Sequence, residues 1–104
     1  MEDDFKVRQG DVMIRRVDKL PAERTLQKDG ALAYGEVTGH SHRVADLEAA
    51  QVFNCGKGKF LSVTAEGGVS IVHEEHGTVH IPKGDYAVTI QREYSPEEIR
   101  SVID

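Results

Sequence analysis

The stretch VSIVHEEHGTVHI, residues 69–81, decides how the rest of the chain is read. Two runs rich in β-branched residues, Val69 to His73 and Thr78 to Ile81, flank a polar centre. Alternation with β-branched enrichment is the strand signal, so the stretch predicts a hairpin. His76-Gly77 resembles the Asn-Gly centre of a two-residue turn, although His is a poorer first member. A turn centred there puts His73 opposite His80, with their β-carbons ~5 Å apart. Glu75 and Thr78 then share the histidine face, while Val72, Val79 and Ile81 take the other. A four-residue turn over Glu74 to Gly77 would instead set Ile71 against His80. The first register segregates the apolar residues better and is the expectation.

Working outward, period-two patterns recur. Asp11 to Val17 places Val12 and Ile14 on one face. Ala31 to Thr38 groups Leu32, Tyr34, Glu36 and Thr38 against Ala33, Gly35 and Val37. Gln51 to Asn54 and Phe60 to Ala65 are short β-type runs, and Tyr86 to Arg92 sets Tyr86, Val88 and Ile90 on one face. Turn residues separate them: Asp29-Gly30, Cys55-Gly56-Lys57-Gly58, Gly67-Gly68 and Lys83-Gly84-Asp85. About seven strands at this spacing predict an all-β fold, a small barrel or sandwich. Lys19 to Lys28 is polar and unpatterned and reads as a long loop. Ser95-Pro96-Glu97-Glu98 is a helix start with a capping box, predicting a short C-terminal helix over 95–103. The 104 residues are expected to form a single domain, with residues 1–5 as an acidic tail.

The formal net charge of −5 argues against nucleic-acid or anionic-membrane binding, both of which need Lys/Arg clusters. No apolar run approaches the ~20 residues of a membrane span. The single cysteine, Cys55, leaves no intramolecular disulfide and reads as a neutral free thiol in a reducing compartment. No secretory leader pattern opens the sequence, so the expectation is a soluble cytoplasmic protein.

All five histidines fall in two blocks, GHSHRVAD at 39–46 and the hairpin above. On a strand His40 and His42 point to one side, together with Tyr34 and Val44 if the strand runs unbroken through Gly39. Two imidazoles so placed can chelate one ion. His73 and His80 would supply a second convergent pair, and His76 lies between them. Imidazole suits Zn, Ni, Fe and Cu, and an added carboxylate keeps Zn, Fe and Mn open. Asp46 is a candidate ligand; Glu74 and Glu75 are candidate bases or orienting groups. The string HEEH is not the HExxH signature of zinc proteases, which needs a helix and a spacing of four. Against all this stands a plainer reading, since surface hairpins also carry histidine strings. Arg43 and the string Gln91-Arg92-Glu93-Tyr94 read as exposed or sheet-edge contacts.

These residues resemble the cupins, small β-barrels built on two motifs. Gly35 is followed after four residues by His40-Ser41-His42 and then, after three, by Asp46. Gly77 is followed after four residues by Pro82-Lys83-Gly84. Both glycine spacings are one residue shorter than the family's, and Asp46 stands where the family has Glu. Ala87 occupies the position of the family's third histidine, and Gln91 that of its Asn. The resemblance covers roughly residues 35 to 91. It implies a cupin-like barrel in which His40, His42 and Asp46 are metal ligands, with the missing imidazole supplied by His80 or His73 or by a second subunit. The segments GDVMIRRVDKLP and QREYSPEEIRSVID fall outside that pattern. They are similar to parts of small bacterial proteins from which no activity carries over.

Three functions follow as expectations. One is a small metalloenzyme that uses a metal-bound water for hydration, hydrolysis or isomerisation of a small-molecule substrate. Another is a non-catalytic cupin-like module that binds a ligand or a metal. The third is a metal-free interaction protein with interface histidines. The expected cofactor is a divalent metal, Zn first, with Ni, Fe or Mn as alternatives. Unpaired strand edges make a homodimer the expected assembly.

Overall fold

The structure is a computed structural model and describes residues 5–34, 39–56 and 58–90. The described residues form ten strands: β1 Lys6–Gln9, β2 Val12–Arg16, β3 Thr25–Leu26, β4 Ala31–Tyr34, β5 Ser41–Val44, β6 Ala50–Cys55, β7 Gly58–Val63, β8 Val69–Val72, β9 Val79–Ile81 and β10 Gly84–Ile90. They build two antiparallel sheets, ordered β1-β2-β10-β7-β6-β3 and β4-β5-β8-β9. The architecture is an open sandwich and not a closed barrel, because no strand pairing among the described residues joins one sheet to the other. No helix long and apolar enough to cross a membrane occurs among the described residues. The expected C-terminal helix, the acidic residues 1–4 and the string from Gln91 to Tyr94 lie outside them.

The core lies between the two inner faces. Val12, Ile14, Val52, Leu61, Val63, Tyr86 and Val88 meet Leu32, Val44, Val69, Ile71 and Ile81 from the smaller sheet. Each such side chain, fully buried, contributes roughly 1.5–3 kcal/mol of transfer free energy. The alternation expected for β2 holds, with Val12 and Ile14 buried and Arg15 exposed. In β10, Tyr86 and Val88 are buried but Ile90 emerges at the end of the strand. Tyr86 also anchors the Pro82-Lys83-Gly84 turn. Its hydroxyl donates to Pro82 O at 2.6 Å and accepts from Arg16 Nη2 at 3.1 Å.

Three expectations are corrected. The described residues hold ten strands where about seven were expected. β1 was missed because its sequence, KVRQ, buries only a glutamine. β3 was missed because both of its residues are exposed.

The face of Tyr34 is the second correction. Ala31 pairs with Arg43 but Ala33 pairs with His42, so Leu32 is the extra residue of a β-bulge. Past the bulge the alternation is reset. Leu32 is buried while Tyr34 is exposed; and because β4 and β5 are separate antiparallel strands, not one strand unbroken through Gly39, Tyr34 lies opposite Ser41 and off the His42 face.

The third correction is the hairpin register. Ser70, not His73, lies opposite His80, and Ile71 pairs with Val79. The connection is therefore not a two-residue turn at His76-Gly77 but a loop from His73 to Thr78. That loop carries His73, Glu74, Glu75 and His76 out of the sheet.

Candidate metal centre

Three segments converge where the β1 edge of the larger sheet lies against β9, the edge of the smaller. They are the two-residue β1–β2 turn at Gly10-Asp11, the start of β5 with His40 and His42, and the β8–β9 loop. His42 points inward beside Val44, as strand geometry requires, and is only 3% exposed. Its ring lies 4.3 Å from that of His73 and 5.7 Å from that of His76, centroid to centroid. His73 and His76 are 4.7 Å apart, and His40 meets His73 edge-on at 5.7 Å. Four of the five histidines thus form one cluster with His73 at its centre.

The protonation of His42 follows from its neighbours. Gln9, itself buried, donates through Nε2 to Ile71 O at 2.8 Å and to Gly77 O at 2.9 Å. Both amide hydrogens are consumed, so Oε1 is the atom turned toward His42 Nδ1, 2.8 Å away. Flipping the amide would set its oxygen against two carbonyls. His42 Nδ1 therefore carries the proton and donates, and its Nε2 keeps a lone pair. Burial lowers the His42 pKa below the usual histidine value, and positive charge on His73 or His76 would lower it further; Asp11 opposes this. The free base is the form that ligates metals.

His73 is arranged differently. Its Nδ1 accepts the Glu75 backbone N–H at 3.0 Å. A neutral ring then holds its proton on Nε2. Ligation through either nitrogen requires that the Glu75 bond be given up.

The carboxylates divide by role. Glu74 accepts from Ser41 N at 3.0 Å through one oxygen and pairs with Arg43 Nη1 at 3.0 Å through the other. The Ser41 N–H is the main reason its pKa lies below the usual carboxylate range. Glu75 Oε2 lies 3.7 Å from His40 Nδ1, and Asp11 Oδ1 lies 3.5 Å from His42 Nε2. Two sets have ligand atoms all within 4.8 Å of one another: His42, His73 and His76, and His40, His73 and Glu74.

Two of the expected ligands are elsewhere. His80 is exposed on the outer face of β9, against Gly68, and belongs to neither set. Asp46 follows β5 in a turn, where its carboxylate accepts the Glu48 N–H at 2.9 Å, and it too belongs to neither. Ala87 alternates with the buried Tyr86 and Val88 and so lies on the outer face of β10. A groove of about 450 Å³, lined by Asp29, Tyr34, Arg43, Asp46 and Leu47 among others, runs along β4 and β5 and does not include the histidines.

Sequence reasoning missed Gln9 and Asp11. Gly10-Asp11 is a hairpin dipeptide in its own right and would have paired Gln9 with Val12. Gly10 also has a steric role. Its φ is +59°, and a β-carbon there would lie 2.6 Å from His76 Nε2. Only glycine lets the turn lie directly against that ring.

Residues 8–91 match a family described as a domain of unknown function, DUF8820. The chain belongs to this family. No curated protein and no solved structure matches it. The DUF8820 stretch includes every segment of the centre, from Gln9 and Asp11 through His42 to His76. What the arrangement offers chemically is a set of imidazoles at a sheet edge, one held in a fixed tautomer, with carboxylates around them.

Proposed function

We propose that this domain binds a divalent transition-metal ion through His42, His73 and His76. The observation that carries the reading is the bond between Gln9 Oε1 and His42 Nδ1, from which the His42 tautomer follows. Gln9 Oε1 accepts the hydrogen bond from its Nδ1–H, leaving a lone pair on Nε2 in a ring packed against two further imidazoles. Metal-ligating histidines are oriented by a hydrogen bond on the other ring nitrogen in the same way. Three imidazoles favour Zn, with Ni and Fe as alternatives; Mn would need carboxylate help. Zn–N bonds of about 2.0–2.1 Å require nitrogens roughly 3.4 Å apart, so the rings must close in around the ion. His73 and His76 sit on a loop and can make that adjustment; His42, in β5 and bonded to Gln9, supplies the fixed point.

Glu74 is assigned to holding the loop and not to proton transfer. Its carboxylate is already engaged by Ser41 and Arg43, and its lowered pKa makes it a weak base. Glu75 lies nearer to open solvent and to His40, and it is the better candidate if a metal-bound water reacts.

Metal content of tag-free protein, measured by inductively coupled plasma mass spectrometry, tests the reading. The wild type is compared with a His73→Asn/His76→Asn double variant. A near-stoichiometric ion that is lost in the variant is the expected result. No retained metal in the wild type after reconstitution with Zn, Ni, Mn or Fe would overturn it.

A further inference from the structure

His42 Nε2 and Asp11 Oδ1 face each other at 3.5 Å. That is longer than the ordinary span of a hydrogen bond. With its proton on Nδ1, His42 presents a lone pair to a carboxylate oxygen. Two such acceptors repel unless a proton or a metal ion lies between them. The separation is close to the roughly 3.4 Å edge of a tetrahedron with ligands at zinc distances. The neighbouring residue strengthens the case. Gly10 lies against His76 Nε2, so one two-residue turn touches two of the three imidazole ligands at once. Asp11 is outside the sets whose ligand atoms all lie within 4.8 Å of one another, so its half-exposed side chain must turn inward from His42 to reach an ion held by all three imidazoles.

We infer that Asp11 is the fourth ligand, closing a His42–His73–His76–Asp11 site that joins the β1–β2 turn to β5 and to the β8–β9 loop. This rests on the metal reading above and deepens it. Four protein ligands fill a tetrahedral zinc site and leave no position for water. The ion is then a fastener between the edges of the two sheets and not a hydrolytic centre. The sequence alone pointed to Asp46 for the carboxylate. The fold offers Asp11 instead, from a segment outside the cupin-like pattern.

The test is a zinc titration of the full chain in competition with a chromophoric chelator, on wild type, Asp11→Asn and Asp46→Asn. Asn suits both turns, and unchanged apo melting would show that each variant folds. Cobalt(II) replaces zinc in a parallel set, because its visible bands report tetrahedral geometry. The expected result is a weakening in Asp11→Asn of at least the roughly 10–100-fold that loss of an outer-layer partner costs. The cobalt bands should also shift and become sensitive to added anions, because water replaces the carboxylate in the fourth position, while Asp46→Asn behaves as wild type. Asp11→Asn binding within about threefold of wild type (an energy of roughly 0.6 kcal/mol) would overturn the assignment and leave the three-histidine reading standing. Equal weakening in both variants would overturn it too, by showing a general effect of charge. A wild type that binds neither zinc nor cobalt would remove the metal reading itself, and this inference with it.

Discussion

Gln9 and Gln27 stand at opposite edges of the sandwich, and each ties the larger sheet to the smaller. Gln9 ends β1 and donates to Ile71 O in β8 and to Gly77 O in the β8–β9 loop. Gln27 follows β3 and donates to Ala31 O in β4 and to Asp29. Its own oxygen accepts from Asn54 Nδ2 at 3.1 Å and from Lys59 Nζ at 2.6 Å. Asp29 in turn accepts from Ala31 N and from the Tyr34 hydroxyl, and these bonds hold its pKa below the usual range. At this edge donors and acceptors find each other, and the network serves the fold. At the Gln9 edge the chain of bonds ends on His42 Nε2, a lone pair beside a carboxylate. The two edges show how a polar cluster that serves only structure differs from one that can take a ligand. The mark is not burial or charge but an acceptor left over.

The largest expected effect separates the edges by stability. Gln9→Leu keeps the volume but strips partners from the His42 Nδ1–H and from two carbonyls in a buried setting. Each group left unpaired costs about 1–3 kcal/mol. Gln27→Leu acts on half-exposed groups that water can satisfy, and it should cost less than about 1 kcal/mol. Urea denaturation midpoints of the two variants measure the gap. Equal losses would mean that the edges are mechanically alike and that burial of Gln9 carries no special cost.

Zinc sharpens the contrast next. Saturation at 100 times the dissociation constant stabilises a binder by about 2.7 kcal/mol. The gain should appear in wild type and vanish in His73→Asn/His76→Asn. Hydrogen exchange locates it. The Glu75 amide, now bonded to His73 Nδ1, must change its protection when that nitrogen is released, whereas amides near Gln27 should not respond. A uniform slowing across both edges would point to non-specific binding.

The third effect is the pH dependence of the apo protein. The folded His42 pKa lies below its unfolded value of about 6.5. Between the two values the unfolded chain binds the extra proton, so stability rises with pH there. The contribution is fully present above pH ~6.5 and is lost as pH falls through the folded pKa, with a slope of at most about 1.4 kcal/mol per pH unit. Chemical denaturation from pH 7.5 to 5 should show this fall in wild type and a flatter profile in His42→Gln. The Gln27 edge contributes nothing in that window, because Asp29, whose pKa is lowered, loses its stabilising charge only at more acid pH.

Much of this contrast was not legible in the sequence, for identifiable reasons. The inner faces of β2 and β10 could be read because apolar alternation reports burial directly; that of β8 was misread, since Val72 was set on the apolar face whereas Val69 and Ile71 are the buried pair. The inward pairing of His42 with Val44 could be read for the same geometric reason. The hairpin register could not. The loop from His73 to Thr78 is held by Glu74 on Ser41 and Arg43, residues on another strand. No local pattern encodes those contacts, and the local turn signal at His76-Gly77 pointed to a tighter connection. Leu32 hid a bulge because inserting one residue resets parity without changing composition. Gln9 was passed over because it is buried for its hydrogen bonds, and hydropathy patterns count a buried glutamine as surface. Three of the expected ligands, His42, His73 and His76, come together; His40 joins through His73; His80 and Asp46 are directed elsewhere by register and by a local turn.

The smallest effect uses two glycines with nearly the same φ. Gly10 has φ +59° and Gly56 has φ +58°, but a β-carbon on Gly10 meets the His76 ring, whereas one on Gly56 meets nothing within 4 Å. Alanine at either site pays the left-handed penalty of roughly 1–2 kcal/mol. Gly56→Ala should show that cost alone, with zinc affinity unchanged. Gly10→Ala should show the same cost plus the displacement of His76, and its zinc affinity should fall. Since backbone strain is common to both, the difference between the variants isolates the contact between the turn and the ring. Zinc binding that survives Gly10→Ala intact would mean that His76 can leave the turn without loss. The β1–β2 turn would then be a neighbour of the site and not a part of it.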